Sequence, residues 1–129
     1  MLNNMTKQKR IVLLIDDEAV IREVGCEMVE SLGWLCITAE SGEQGIQLYE
    51  ENKENIRLVI LDVELPDISG EKVYEILRKK NPGIKVLLSS GYGREYLESR
   101  FFKQRMEHFI PKPFQLKKLS HKINQLIRE

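Results

Sequence analysis

The stretch LVILDVELPDISG at residues 58–70 decides the fold of this chain. Its first four residues are apolar, and Asp62 follows them directly, before a turn that contains proline, serine and glycine. An apolar run that ends this sharply is typical of a strand buried on both faces of a parallel sheet. We therefore expect the Asp62 carboxylate at the carboxyl edge of the sheet, where ligands bind in open α/β folds.

Composition restricts the class of protein. The chain has 129 residues and is 42% hydrophobic, which suits one domain with a buried core. Twenty basic residues balance twenty acidic ones, so no net charge would recruit nucleic acid or an anionic membrane. No apolar stretch approaches the roughly 20 residues of a membrane span, and none has the form of a signal peptide. Cys26 and Cys36 offer neither a disulfide framework nor a CxxC pair. We expect a cytoplasmic domain over residues 10–129, after a flexible segment at 1–9.

Strand and helix patterns alternate along the whole domain. Apolar runs predict strands at 11–15, 34–39, 58–61, 84–88 and 108–110. Apolar residues at spacings of three and four predict helices between them, from residue 18, from residue 41, near 72–80, from about 94 to 105, and after residue 113. The predicted inward stripes include Val24 in the first helix and Leu116 in the last. Five strand–helix units in sequence predict a parallel sheet that is covered on both faces.

Polar side chains follow four of these strands. Asp16 and Asp17 come after the first, Asp62 after the third, Ser90 after the fourth and Lys112 after the fifth. In a parallel sheet these positions share one edge, which brings three carboxylates, a hydroxyl and an ammonium together. Their net charge of −2 would suit a divalent cation, and Mg²⁺ prefers carboxylate oxygens. Each residue alone is compatible with helix capping or a turn, but their joint order favours a site in which Asp62 attacks phosphorus.

Four motifs in this order resemble the receiver domain of two-component response regulators. They are IDDE at 15–18, LDVELPDISG at 61–70, SSG at 89–91 and PKPF at 111–114. The resemblance covers nearly the whole chain. It implies a flavodoxin-like (βα)5 doubly wound parallel sheet with strand order 2-1-3-4-5. KVLLSSGY and the PKPF ending are most similar to receivers of hybrid sensor histidine kinases, which favours a phosphorelay role.

The resemblance also implies roles for individual residues. Asp62 is expected to be the phosphoacceptor. Asp16 and Asp17 are expected to hold Mg²⁺ together with Asp62 and the backbone carbonyl of Glu64, with Asp17 coordinating directly and Asp16 mainly through water. Lys112 is expected to pair first with Asp62 and later with a phosphoryl oxygen. For the Glu64 side chain, tuning of phosphoryl lifetime or metal affinity competes with a simple solvated loop position.

A switch mechanism follows from the same resemblance. The Ser90 hydroxyl is expected to move toward the phosphoryl group, and Phe109 to turn inward as the hydroxyl leaves. For Phe109, an ordinary buried strand aromatic is the alternative. The Lys112–Pro113 bond is expected to be cis. The output face would comprise the predicted helix at 94–105, the fifth strand and the last helix, with a homodimer possible there.

The implied phosphodonor is a histidine kinase or a histidine phosphotransfer protein. The domain would then catalyse only its own phosphorylation and dephosphorylation, with no nucleic-acid contact and no membrane segment in this chain. We expect a stand-alone receiver or one excised from a larger protein. Two alternatives stay open: a Mg²⁺-dependent phosphatase with an aspartyl nucleophile, and a receiver-like interaction module that is not phosphorylated. The phosphatase families usually carry D-x-D-x-[TV], which the DVEL at 62–65 lacks.

Overall fold

A computed structural model of the chain describes residues 10–91 and 108–128 and contains a five-stranded sheet. All strand pairs are parallel, and the order is β2-β1-β3-β4-β5, which confirms the predicted flavodoxin-like topology. The strands are β1 (Ile11–Ile15), β2 (Leu35–Ala39), β3 (Ile56–Asp62), β4 (Val86–Ser90) and β5 (Phe109–Pro111). The described helices are α1 (Ala19–Ser31), α2 (Gly42–Asn52), α3 (Gly70–Lys80) and α4 (Leu116–Arg128). The predicted segment at 1–9 and the predicted helix at 94–105 lie outside the described residues.

The sheet separates two hydrophobic cores. Along β1, Ile11, Leu13 and Ile15 enter one core, whereas Val12 and Leu14 enter the other. This alternation follows from the two-residue repeat of a strand, and it requires apolar residues at every position of a strand covered on both sides. Helices α2 and α3 pack into the first core and helices α1 and α4 into the second.

Several predicted strand limits were wrong by one or two residues. Strand β3 begins at Ile56, and β4 runs from Val86 to Ser90. The backbone N–H of Ile84 donates to the carbonyl of Asn81 (3.1 Å), so Ile84 belongs to the turn before β4 although it is apolar. Hydrophobicity therefore located each strand, while hydrogen-bond partners in the neighbouring chain segments set its ends.

Two residues predicted to point inward are exposed. Val24 is 40% accessible because α1 contacts the sheet through Gly25 instead. A Cβ atom on Gly25 would lie 2.7 Å from Leu14 Cδ2 and 3.1 Å from the Phe114 ring, so the helix lies very close to the sheet along this line. Leu116 is 46% accessible, and α4 buries its stripe only from Leu119 onward.

Local backbone features fix the turns at both edges of the sheet. At the amino edge, Gly33 ends α1 with a positive φ of 94°, a conformation that glycine adopts without steric cost. The Ser41 hydroxyl accepts a hydrogen bond from Gln44 N and caps α2. In the loop after β3, the Asp67 carboxylate accepts hydrogen bonds from the backbone N–H groups of Gly42 and Glu43, each at 2.9 Å. This loop is therefore fastened to the start of α2.

Gly70 should be intolerant of a side chain. A Cβ atom there would lie 2.6 Å from the Val63 Cα and 2.9 Å from the Asp62 carbonyl oxygen, both of which are backbone atoms. We expect Gly70→Ala to lower the free energy of unfolding in urea by about 2 kcal/mol or more through overpacking. Gly83→Ala is the matched control, because its nearest neighbour would be Asn81 Oδ1 at 3.6 Å. Equal stabilities of the two variants would show that the loop relaxes freely around Gly70.

Candidate functional site

Three carboxylates converge at the carboxyl edge of the sheet. Asp16 and Asp17 follow β1, and Asp62 ends the adjacent parallel strand β3. One oxygen from each lies within 4.8 Å of the others. Asp16 and Asp62 are buried, whereas Asp17 is exposed. Clustered carboxylates, one of them open to solvent, are a donor set that fits a hard divalent cation such as Mg²⁺.

Lys112 joins the two buried carboxylates from across the sheet. Its Nζ lies 3.0 Å from Asp16 Oδ2 and 3.2 Å from Asp62 Oδ2, and only 8% of its side chain is exposed. The backbone N–H of Lys112 donates to the Ser90 carbonyl (2.9 Å), which holds the loop after β5 against the end of β4. The Lys112–Pro113 bond is cis, as predicted. The structure thus brings together four of the predicted site residues, Asp16, Asp17, Asp62 and Lys112.

Burial and the neighbouring charges shift the pKa values of Asp62 and Lys112. Burial is the largest influence on Asp62 and raises its pKa from 3.8 to about 6. The Glu64 N–H and Lys112 oppose this rise, and the charge of Asp16 adds to it. Burial alone would lower the pKa of Lys112, but its hydrogen bond to Asp16 and the Asp62 charge raise that pKa above its usual value. At neutral pH the site therefore holds an ionised but poorly solvated Asp62 carboxylate beside a protonated Lys112 amine.

Local hydrogen bonds orient the two buried carboxylates. Asp16 Oδ1 accepts from the Glu18 N–H (2.9 Å), and the Asp16 carbonyl accepts from Arg22 Nη1 (2.8 Å). Asp62 Oδ1 accepts from the Glu64 N–H at 3.0 Å. In each carboxylate, Oδ1 is held by the backbone two residues on, and Oδ2 faces Lys112. The carboxylates are therefore fixed in orientation before any ligand arrives.

Glu18 is a member of the site that the sequence reasoning did not assign. Its Oε1 lies 3.3 Å from Lys112 Nζ, although 61% of its side chain is exposed. The residue belongs to the IDDE motif, but the sequence pattern predicts only that a helix starts at Glu18. Glu18 is indeed the residue before α1, yet its side chain caps no backbone group of that helix. That absence of a cap leaves its carboxylate available to Lys112.

The structure places the two serines of SSG on different faces of the sheet. Asp62 is in register with Ser89, and registered residues of parallel strands share a face. Ser90 therefore starts on the opposite face, which it shares with Leu88 and Phe109. Both serines are fully buried, and within the described part of the chain Ser89 Oγ has no hydrogen-bond partner. The role expected of Ser90, and the inward turn expected of the half-buried Phe109, stay predictions, as does the Glu64 carbonyl ligand.

Comparisons with known proteins agree on one family. The family model described as "Response regulator receiver domain" matches residues 12–124. The sensor kinase CckA of Brucella abortus is 30% identical over 92% of this chain, which spans 12% of that protein. The chain spans about half, or less, of the length of the curated relatives that it matches.

Solved structures agree as well. The response regulator TrrA of Thermotoga maritima, in complex with Mg²⁺-BeF, is 32% identical, with a TM-score of 0.80 over 91% of this chain and 98% of that one. The receiver domain of the hybrid histidine kinase CckA is 27% identical, with a TM-score of 0.74 over 91% of this chain and 98% of that one.

Within residues 10–91 and 108–128, no helix has both the length and the apolar composition of a membrane span.

Replacing Asp62 by asparagine should stabilise the metal-free protein at neutral pH. The native carboxyl group binds its proton more tightly than the unfolded one, since its pKa is about 6 rather than 3.8. As pH rises from about 4 to 6, the unfolded chain therefore loses its proton first and the free energy of unfolding falls. Asparagine does not ionise, so its stability does not fall in this way. Relative to the parent protein, we expect Asp62→Asn to have a free energy of unfolding higher by on the order of 2 kcal/mol at pH 7.5 and unchanged at pH 3.5. Urea unfolding in EDTA measures both values.

Asp67→Asn is the matched control, and its effect on the free energy of unfolding should have the opposite sign. The backbone N–H groups of Glu43 and Gly42 lower the pKa of Asp67. Its ionised form therefore stabilises the native state above the unfolded pKa, and this contribution disappears as pH falls through the native pKa. We expect Asp67→Asn to be less stable than the parent protein at pH 7.5, with the difference shrinking at pH 3.5. A lower stability of Asp62→Asn at pH 7.5 would contradict the inference that burial of the ionised Asp62 carboxylate destabilises the native protein.

Proposed function

The chain belongs to the response regulator receiver domain family, and from this premise we propose that it is a phosphoacceptor switch of a two-component system or phosphorelay. Receiver domains of response regulators interact with histidine kinases, and the CckA relative is itself a sensor kinase. One observation carries the proposal for this chain: the Lys112 ammonium, which follows β5, bridges the buried Asp16 and Asp62 carboxylates at the ends of β1 and β3. We assign Asp62 as the phosphoacceptor.

The proposed reaction is a transfer between two side chains. A carboxylate oxygen of Asp62 attacks the phosphorus of a phosphohistidine on a histidine kinase or a histidine phosphotransfer protein. A new P–O bond forms as the P–N bond breaks, and the imidazole nitrogen keeps the electron pair of that bond and takes a proton from solvent. Burial of Asp62 helps, because a poorly solvated carboxylate is a stronger nucleophile than a hydrated one. Beyond accepting and later losing this group, the domain would turn over no substrate.

The acidic cluster is proposed to hold Mg²⁺. Asp16, Asp17 and Asp62 would supply carboxylate oxygens, with the Glu64 backbone carbonyl as a further ligand. When bound, the ion would neutralise negative charge on the phosphoryl oxygens. The Mg²⁺-BeF complex of the TrrA response regulator supports this assignment. We also propose that the side chain of the half-buried Glu64, whose backbone N–H donates to Asp62 Oδ1, tunes phosphoryl lifetime or metal affinity.

Charge would drive the switch. An aspartyl phosphate carries about −1.5 to −2 charges where the carboxylate carried −1. We propose that Lys112 then shifts from Asp16 and Glu18 toward the phosphoryl oxygens, and that the Ser90 hydroxyl follows. Because Ser90 and Phe109 share a face, withdrawal of the hydroxyl would leave room for the ring to turn inward. The output face would comprise β5, α4 and the predicted helix at 94–105, with a homodimer through this face as one use. We place the protein in the cytoplasm with its phosphodonor.

A phosphodonor assay tests the acceptor directly. We expect incubation with acetyl phosphate and Mg²⁺ to add the mass of one phosphoryl group to the intact protein, and Asp62→Asn to gain none, because asparagine lacks the nucleophilic oxygen. Asp67→Asn serves as the control and should still be phosphorylated. Phosphorylation of Asp62→Asn at the parental rate would move the acceptor elsewhere. Multiple turnover of para-nitrophenyl phosphate would favour the phosphatase alternative, and no reaction with either phosphodonor or beryllofluoride would favour the interaction module.

Removing the amine should slow phosphorylation. Lys112→Gln leaves Asp62 beside Asp16 without its cation, which raises the pKa of Asp62 further and removes a partner of the phosphoryl oxygens. We expect the rate with acetyl phosphate at pH 7 to fall at least about tenfold and to recover partly at higher pH. Lys117→Gln, on the exposed start of α4, should leave the rate unchanged. A parental rate and pH profile for Lys112→Gln would exclude this role of the amine.

A further inference from the structure

The amino edge of the sheet carries the opposite charge to the acceptor edge. Arg10 precedes β1, Arg57 is the second residue of β3, and Lys85 precedes β4. The same three strands end next to Asp16, at Asp62 and at Ser90. The chain has no net formal charge, so this arrangement separates basic and acidic groups to opposite ends of the central strands.

A cavity of about 500 Å³ opens at this basic edge. Its cations are Arg10, Arg57 and Lys85, and its apolar wall is formed by Trp34, Ile56, Ile84 and Ile127. No acidic residue of the described chain lines it. A second cavity of about 230 Å³ shares Lys85 and Ile84 with the first and adds Arg78 and His108. The two cavities therefore adjoin at Ile84 and Lys85, and the proposal below concerns the larger one.

Several contacts hold the rim of the larger cavity in place. The Arg10 guanidinium carbon lies 4.0 Å from the centroid of the Trp34 ring, a cation–π contact on a nearly buried indole. The Arg10 carbonyl accepts from Leu35 N, and the Lys85 carbonyl accepts from Val59 N, both at 2.9 Å. Asn81 Oδ1 accepts from Gly83 N at 3.1 Å. The cations therefore project from backbone that belongs to the sheet or to a hydrogen-bonded turn.

From this geometry we propose that the basic cavity binds a small organic phosphate, such as a mononucleotide. A guanidinium fork and an ammonium are the side-chain groups that best complement phosphate oxygens. The apolar wall of Trp34 and isoleucines suits an uncharged organic moiety, and the volume lies within the range of small-molecule sites. The site lies at the far edge of the sheet from Asp62, and it belongs to the unphosphorylated protein, so the inference does not rest on the proposed function.

Trp34 is the only tryptophan of the chain and reports on this cavity. We expect ADP, titrated into the full chain in EDTA, to change the Trp34 fluorescence saturably. Pyrophosphate should bind about tenfold or more weakly, because it lacks the organic moiety, and adenosine should not bind measurably. Raising the salt concentration should weaken ADP binding through screening of the cations. Binding that requires Mg²⁺ would overturn the proposal, since it would place the ligand at the acidic edge.

Two variants and one control locate the site. Lys85→Gln should weaken ADP binding about tenfold or more, as expected for the loss of one charged contact. Arg10→Gln should do the same by calorimetry, which does not depend on the indole signal. Lys117→Gln should bind as the parent does, and Lys85→Gln should retain the parental phosphorylation rate. Parental ADP affinity in both Lys85→Gln and Arg10→Gln, equal affinities for ADP and pyrophosphate, or binding of poly-glutamate without any binding of ADP would each refute the proposal.

Discussion

The Lys112 ammonium, held between the Asp16 and Asp62 carboxylates, is the contact on which the site depends. Two carboxylates buried this close repel each other and lose hydration, and an unpaired buried charge is costly. The amine offsets the repulsion from a third part of the chain, fifty residues after Asp62 and ninety-six after Asp16. The site is therefore complete only when the last strand–helix unit packs against the rest of the sheet.

That contact still leaves Asp62 under-solvated. Its pKa of about 6 shows that burial outweighs both the Lys112 amine and the Glu64 N–H. The buried Ser89 is in register with Asp62 at this edge. Its hydroxyl has no hydrogen-bond partner within the described part of the chain. Such groups are rare in native proteins, and a functional role, a bound water or a bound ion can account for them. The rest of the fold, with two cores covering every position of β1, supplies the stability that this edge lacks.

The polarity of a parallel sheet explains why the two ends of the molecule differ. All strands run the same way, so residues before the strands collect at one edge and residues after them at the other. Here the first edge carries Arg10, Arg57 and Lys85, and the second carries Asp16, Asp62 and the amine that balances them. The two edges are separated by the length of β3, which makes separate ligands at each end physically compatible.

The sequence by itself predicted the parallel sheet and the identity of the acidic edge, whereas the strand order came from the resemblance of its motifs to receiver domains. Apolar runs that end in Asp16 and Asp62 predict buried parallel strands, and strand polarity then places both carboxylates at one edge of the sheet. The pairing of β1 with β3 makes them neighbours there. The sequence could not determine the exact strand ends, the exposure of Val24, or the contact between Glu18 and Lys112. Those depend on which backbone groups pair and on how closely α1 approaches the sheet over Gly25. The basic cavity likewise exists only in the tertiary structure. Its cations are 28 or more residues apart in sequence, and they become neighbours only when the strands pair and Trp34 packs beside them.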